Sequence, residues 1–271
     1  VPQSEPVPFE PRRFRTAAAH YLQGRPAYAA ALAPRVALLT GLAGGDGVLD
    51  LGCGPGQLAR AFAPLCGGVL AVDPEPEMLR VAAEASEGIT GIRFRQGSSY
   101  DLSPALVADV PPLRLAVIGR AFHWMDRADT LARLDTLLAP DGAVVLVSSH
   151  QPKLPDNAWR ETYEPLLRAH EAEGSARERH DSPGWLPHEA VLLDSPFARQ
   201  ESITITERRR TPLVALADRA LSMSSTSRAR IGDRADALAA AVLDALAPFA
   251  VDGMLMEVVD SRALIAWRVA P

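Results

Sequence analysis

The chain has little cysteine, a single lysine and no surplus of positive charge. Its two cysteines, Cys53 and Cys66, have no paired metal-ligand spacing around either, so a metal site built on them is not expected and a reducing, cytoplasmic setting fits. Lys153 is the sole lysine, which leaves Schiff-base chemistry and a phosphate-cradling P-loop almost no candidate. The formal charge of −5 gives no global attraction for a phosphate backbone, so nucleic acid is not an expected partner. No run of about 18 uninterrupted apolar residues appears, so no membrane span is expected. The stretch Val1 to Arg15 is proline-rich and charged, unlike a secretory leader. His170, His180 and His188 are scattered without tight ligand spacing, and no metal is expected.

What the chain does have is 48% hydrophobic residues over 271 positions, enough for one α/β unit with an embedded cap. Val1 to Phe14 carries four prolines and reads as an arm before a helix starting near Thr16. A second helix is expected from Ala27 to Leu42, on Leu32, Val36 and Leu39, stopped by Gly41. Short apolar runs then alternate with helical stretches. The runs are Val48 to Leu51, Gly68 to Val72, Ile92 to Arg95, Leu113 to Ile118 and Ala143 to Val147. Helices are expected from Gln57, from Glu75 and over Ala128 to Leu138, with a turn at Pro140-Asp141-Gly142. Five such runs predict a parallel sheet buried on both faces.

After His150 the regularity breaks into pieces punctuated by proline and glycine, up to about Pro196. This segment reads as a mainly helical cap inserted after the fifth strand. Beyond it come a strand at Ile203 to Glu207, helices at Leu213 to Leu221 and Ala235 to Leu246, and two strands at Met254 to Val259 and Ala263 to Val269. The last two, joined at Asp260-Ser261, read as a terminal hairpin. The expected architecture is an α/β, Rossmann-like, doubly wound sheet, mostly parallel with a C-terminal antiparallel hairpin. Its parts are a core over 1–150, a cap over 151–196 and the remainder of the core over 197–271.

The most informative segment is Val48 to Gln57, a buried strand running through Gly52, Gly54 and Gly56 into a helix. Glycines let backbone N–H groups approach a ligand while the chain turns. As a dinucleotide fingerprint it fails, because Gln57 stands where Gly or Ala is needed. Asp73, ending the second strand about 20 residues on, is placed to accept hydrogen bonds from ribose hydroxyls. A nucleoside therefore fits better than a pyrophosphate.

Together with Ala71-Val72-Asp73, this segment resembles the first two motifs of the class I S-adenosylmethionine methyltransferases. Phe94 to Ser99, Ala121-Phe122-His123-Trp124 and Leu138 to Gly142 resemble further motifs, and the likeness is greatest to the trans-aconitate-type and other small-molecule members. Tyr21, Arg25, Pro26 and Tyr28 match an element that in this subgroup folds over the cofactor. The resemblance implies S-adenosylmethionine as cofactor, held by Tyr21, Arg25, Gly52, Gly54 and Gly56, then Asp73, Pro74 and Met78, and lastly Ser98, Ser99, Arg120 and Phe122. Ser98 departs from the usual Asp, so the adenine amino group would meet a hydroxyl or a carbonyl instead.

Transfer of a sulfonium methyl needs mainly alignment and exclusion of water. A base helps when the acceptor is a hydroxyl or an amine, and His123, after the fourth strand, is the candidate proton acceptor or a packing residue. His150 reads either as a second cleft histidine or as an anchor of the cap. Trp159, Tyr163 and Trp185 either line an aromatic acceptor pocket or form the small core of the cap, and Tyr28 and Trp124 complete the expected acceptor contacts. The run Arg208-Arg209-Arg210 reads as a solvated strand end more readily than as a site for a phosphate or carboxylate. The expected activity is methylation of an O or N atom of a small molecule by a monomer or homodimer. The competing readings are a non-methylating protein of the same fold and a nicotinamide oxidoreductase.

Overall fold

The computed structural model describes residues 18–172 and 182–269. The five apolar runs form β1 (Gly47–Leu51), β2 (Gly68–Asp73), β3 (Ile92–Gln96), β4 (Leu113–Gly119) and β5 (Leu138–His150), all parallel. With β6 (Arg199–Pro212), β7 (Ala250–Val251) and β8 (Met254–Trp267) they make one eight-stranded sheet in the order β3-β2-β1-β4-β5-β8-β6, with β7 paired to β8. The chain leaves β1 toward one edge and returns at β4 toward the other. Carboxyl ends therefore diverge beside β1, the place where doubly wound sheets bind ligands.

The period-two alternation of side chains builds one core on each face. Leu49, Leu51, Leu70, Val72, Ile118, Val144 and Leu146 point to the face covered by α5 (Arg127–Leu137) and α7 (His188–Leu193). Val48, Val69, Ala71, Leu115, Val117 and Val145 point to the face covered by α2 (Leu32–Thr40) and α3 (Gln57–Phe62). The capping chemistry is local. Asp126 accepts the Asp129 N–H at the start of α5, and Gly41, at φ 65°, closes α2. The second helix thus runs over 32–40 rather than from Ala27.

A third cluster joins α6 (Arg160–His170) to α8 (Leu213–Leu221), α9 (Arg228–Ile231) and α10 (Arg234–Leu246) through Trp159, Tyr163, Leu216, Ala220, Leu238 and Val242. The cap is therefore assembled from two stretches of chain rather than from 151–196 alone. Part of that span, α7, packs instead on the sheet core through Leu192. His180 and the N-terminal arm up to residue 17 lie outside the described residues.

The terminal hairpin expected at Asp260-Ser261 is not formed. β8 is one continuous strand, paired to β6 along its whole length and to β5 along its second half. The two polar residues are accommodated inside the sheet: Thr206 donates to Asp260 at 2.6 Å and the buried Ser261 hydroxyl accepts the Ala29 N–H at 2.8 Å. The tight turn falls at Asp252-Gly253, both left-handed at φ 52° and 70°, as a two-residue turn with the twist of its strands requires. The Arg208-Arg209-Arg210 run lies within β6, where Arg208 pairs with Asp156 and Arg209 with Glu207. Pro140-Asp141-Gly142 is absorbed into β5 as an irregularity in its pairing with β4.

Candidate active site

A cavity of about 860 Å3 runs along the carboxyl ends of the parallel strands, from the glycine loop to the cap. Gly52 leaves β1 at φ 70°, and a Cβ there would lie 2.6 Å from the Ala121 Cβ, so only glycine lets the loop pass under the β4 end. Gly54, at φ 51°, has open space where its side chain would stand and donates its N–H to Asp73 Oδ2 at 2.8 Å. Asp73 Oδ1 accepts the Glu75 N–H at 2.9 Å. Each carboxylate oxygen keeps a further lone pair for a ligand. Burial pushes the Asp73 carboxyl up to about 6, against the pull of the Glu75 and Gly54 amides.

Asp73, Pro74, Met78, Ser98, Ser99, Arg120 and Phe122 line this cavity together with Tyr21, Arg25, Gly52 and Gly54. Gly56 does not; it caps α3 at φ 73°. Ser98 donates its hydroxyl to Asp101 Oδ2 at 2.8 Å, and the same oxygen accepts the Ser98 N–H at 2.7 Å. A carboxylate thus stands three residues after the position where the resemblance places one, held below the usual range by those Ser98 hydrogen bonds.

Toward the cap, His123, Trp124 and Trp159 line the cavity, with Tyr163 and His188 beside them. Tyr28, His150 and Trp185 do not line it. The Tyr28 ring backs the Arg120 guanidinium at 4.8 Å. His150 is 59% exposed and sits 3.3 Å from Asp260. Trp185 packs on Arg127 at 4.2 Å and edge-on to His188 at 5.8 Å. Trp159 belongs to the cap core as well as to the cavity wall, and its indole N–H has no partner among the described residues.

Several residues of the site carried no assignment in the sequence. Asp50, mid-strand in β1, accepts the Ala59 N–H at 2.8 Å and pins the start of α3; burial raises its carboxyl to about 7. A lone carboxylate inside an apolar run is a signal that could have found it. Arg219 and Glu257 form a bidentate pair at 2.9 and 3.0 Å, both almost fully buried, beside the cavity. Gln57, the residue that breaks the dinucleotide pattern, accepts from Arg120 Nη2 at 2.8 Å. Cys53 is buried, which raises its thiol far above the ordinary value and makes it a poor nucleophile.

The wall also carries Asp73, Glu75 and Glu171, and its arginines differ in their partners. Arg160 and Arg168 face Glu164, Arg262 faces Glu189, and Arg219 faces Glu257. Arg25 and Arg120 have no carboxylate partner among the described residues. Arg120, at φ 56°, is one of two non-glycine residues in the left-handed region among the described residues, and from this strained backbone its guanidinium lies between the Tyr21 and Tyr28 rings. No group of three metal-ligating side chains occurs among the described residues, and no helix there is long and apolar enough to cross a membrane.

A family model described as a methyltransferase domain matches residues 48–142. The chain is 32% identical over 111 residues to the uncharacterized methyltransferase YcgJ of Bacillus subtilis, a match covering 40% of this chain and 42% of that protein. It is 34% identical over 130 residues to a trans-aconitate 2-methyltransferase of Mycobacterium tuberculosis, covering 45% and 46%. The matches thus span less than half the length of these curated relatives. Among solved structures, a protein from Anaeromyxobacter dehalogenans provisionally named a type II methyltransferase superposes with a TM-score of 0.62 at 23% identity, over 91% of this chain and 99% of that one. The [4+2]-cyclase SpnF superposes with a TM-score of 0.52 at 17% identity, over 96% and 95%. Both structural likenesses speak for the fold. Residues 48–142, which carry the glycine loop and Asp73 beside the strand-end cavity, are thus similar to a methyltransferase domain.

Proposed function

We propose that the chain transfers a methyl group from S-adenosylmethionine to an oxygen or nitrogen of a small acceptor that carries negative charge. The observation that carries this reading is a single cavity of about 860 Å3 with the glycine cradle at one end and the cap at the other. It is large enough for a cofactor and an acceptor to meet away from water. Bound in that cradle, the cofactor supplies a methyl group already activated by its sulfonium.

The chain's own residues do the rest. Asp73 accepts the ribose hydroxyls, and the open face of Gly54 lets the backbone approach. Tyr21, on α1 (Ala18–Gly24), and Arg25, the residue after it, close the cradle from above. His123 stands where it can take a proton from the acceptor. The acceptor's charge is inferred from Arg25 and Arg120, which meet rings and neutral side chains rather than carboxylates, while the cofactor carries a single carboxylate. That carboxylate can face one of the two guanidiniums, and an anionic acceptor suits the other. The mycobacterial relative, named for a carboxylate substrate, agrees with that charge.

The direct test is mass spectrometry of candidate acids incubated with the protein and S-adenosylmethionine, where an acceptor gains one methylene. Fluorescence titration with S-adenosylhomocysteine against NADH separates the oxidoreductase reading. Tight binding of S-adenosylhomocysteine with no methylated product from any acceptor would favour the non-methylating reading.

Two further results are expected. Asp73→Ala should weaken S-adenosylhomocysteine binding by roughly 1.5–3 kcal/mol, the worth of charge-assisted hydrogen bonds, in a protein that still folds. Calorimetry measures it, and an unchanged dissociation constant would make Asp73 a loop brace only. The wild-type affinity should also depend on pH. Ribose hydroxyls donate to the ionised carboxylate, so binding lowers the Asp73 pKa from its free value of about 6 and expels a proton where that residue is protonated. Affinity should therefore fall as pH drops through 6, approaching about tenfold per pH unit for one linked proton. A flat profile from pH 7 to about 5 would contradict the linkage.

A further inference from the structure

We propose that Ser222, at the end of α8, is a positioning residue that aims the guanidinium of Arg25, the residue after α1, into the cavity. The proposal rests on the reading of Arg25 as a cofactor contact and adds the group that orients it. The Ser222 side chain is fully buried, and its hydroxyl proton is committed to the Arg219 carbonyl at 2.7 Å. The hydroxyl oxygen is thereby turned to accept, and Arg25 Nε donates to it at 2.9 Å. Arg25 Nη2 reaches the Ser222 carbonyl at 3.4 Å. Those contacts use two of the five N–H groups of a guanidinium. The other three have no partner among the described residues, and Arg25 lines the cavity. Burial lowers the pKa of this arginine, as expected of a charge whose nearest companions are rings and other guanidiniums rather than a carboxylate.

The seat itself is rigid. Arg219, one turn before Ser222, is fixed by the two Glu257 oxygens and donates Nε to the Gly24 carbonyl at 2.9 Å. Glu257 is held in turn by Thr211 at 2.6 Å. Both Arg25 contacts to the fixed frame are thus made to one residue, on a helix whose other face belongs to the cap core. Without Ser222 the side chain of Arg25 keeps its charge but loses its direction. A ligand carboxylate would then have to order it at the moment of binding.

A double-mutant cycle on S-adenosylhomocysteine affinity, measured by calorimetry on the full chain, tests the dependence of one residue on the other. Arg25→Ala and Ser222→Ala should each weaken binding, Ser222→Ala by roughly tenfold, as for one buried hydrogen bond to a charged group. The double variant should be no weaker than Arg25→Ala alone. A merely structural serine gives additive losses, or a lowered melting temperature with unchanged affinity, and either result overturns the proposal. A wild-type protein that does not bind S-adenosylhomocysteine would sink the functional reading itself, whereas wild-type binding with an unaffected Ser222→Ala sinks only the positioning role.

Discussion

Replacing His123 with alanine should lower turnover on a hydroxyl or amine acceptor by roughly 10²- to 10⁴-fold, the usual worth of a positioned general base, with cofactor affinity little changed. The residue sits in a short 3-10 turn, Phe122–Trp124, directly after the β4 end, and lines the cavity close to the glycine loop. Its ring lies 4.7 Å from that of Trp124, which limits where it can swing. The Gly52 contact explains the placement, because the loop carrying Ala121 rests on a position where no Cβ is tolerated. A base must be neutral to accept a proton. The wild-type rate should therefore fall on the acid side, and the variant should lose that limb. An acceptor methylated on a carboxylate has no proton to lose and should suffer far less. His150→Ala, at a position 59% exposed and away from the cavity wall, should cost far less than His123→Ala on any acceptor. Equal turnover and equal pH profiles for wild type and His123→Ala on a hydroxyl or amine substrate would reduce His123 to packing.

The sheet was legible because its strands are buried on both faces. Val48-Leu49-Asp50-Leu51 and Gly68 to Val72 are apolar runs too short for helices and too continuous for a half-exposed strand. Their carboxyl ends carry the glycines and Asp73, so the glycine-loop end of the cavity could be read from spacing. Pairing across long stretches of chain could not. Asp260-Ser261 has the look of a turn, yet partners supplied by Thr206 and Ala29, residues far apart in sequence, let it continue as strand. The true turn, Asp252-Gly253, has the textual form of a tight hairpin, but its first strand is only two residues long and gave no periodic signal.

The cap end of the cavity was less legible for a related reason. Trp159 and Tyr163 come from the insertion, while their neighbours Leu216, Ala220 and Leu238 come from helices some fifty or more residues later, so the cap exists only once both stretches have folded together. Tyr28 illustrates a different difficulty. Its spacing from Tyr21 and Arg25 suggests a ligand contact, and what the ring meets is Arg120, which reaches it only because the β4 end is forced left-handed. Glu257 and Arg219 carry opposite charges in apolar runs, a signal that each needs a buried partner. Nothing in the sequence pairs them with each other.

The second large effect is expected at Gly24, the last residue of α1. No left-handed backbone is required there, and alanine is a better helix former by about 1 kcal/mol, so a local view predicts a harmless or stabilising change. The packing predicts the opposite. A Cβ at Gly24 would lie 2.3 Å from the Arg219 backbone nitrogen and 2.4 Å from the Asp218 carbonyl carbon. Backbone atoms cannot rotate aside as a side chain can, so α1 must back away from α8. That movement draws the Gly24 carbonyl off Arg219 Nε and Arg25 off Ser222, each now at 2.9 Å. Overpacking of this kind costs about 1–3 kcal/mol. Because the cost falls on docked α1 alone, S-adenosylhomocysteine affinity should drop by roughly 10- to 100-fold. Backbone amides in α1 should exchange faster. Global stability should change little, since within the hydrophobic clusters α1 contributes only Tyr21, packed against Met78 beside Val81, and none of the three larger cores. Gly24→Ala with wild-type affinity and wild-type exchange in α1 would show that the helix closes the cavity without resting on α8. A collapse of the melting temperature would instead make α1 part of the folding core, and closure over the cofactor would lose its separate meaning.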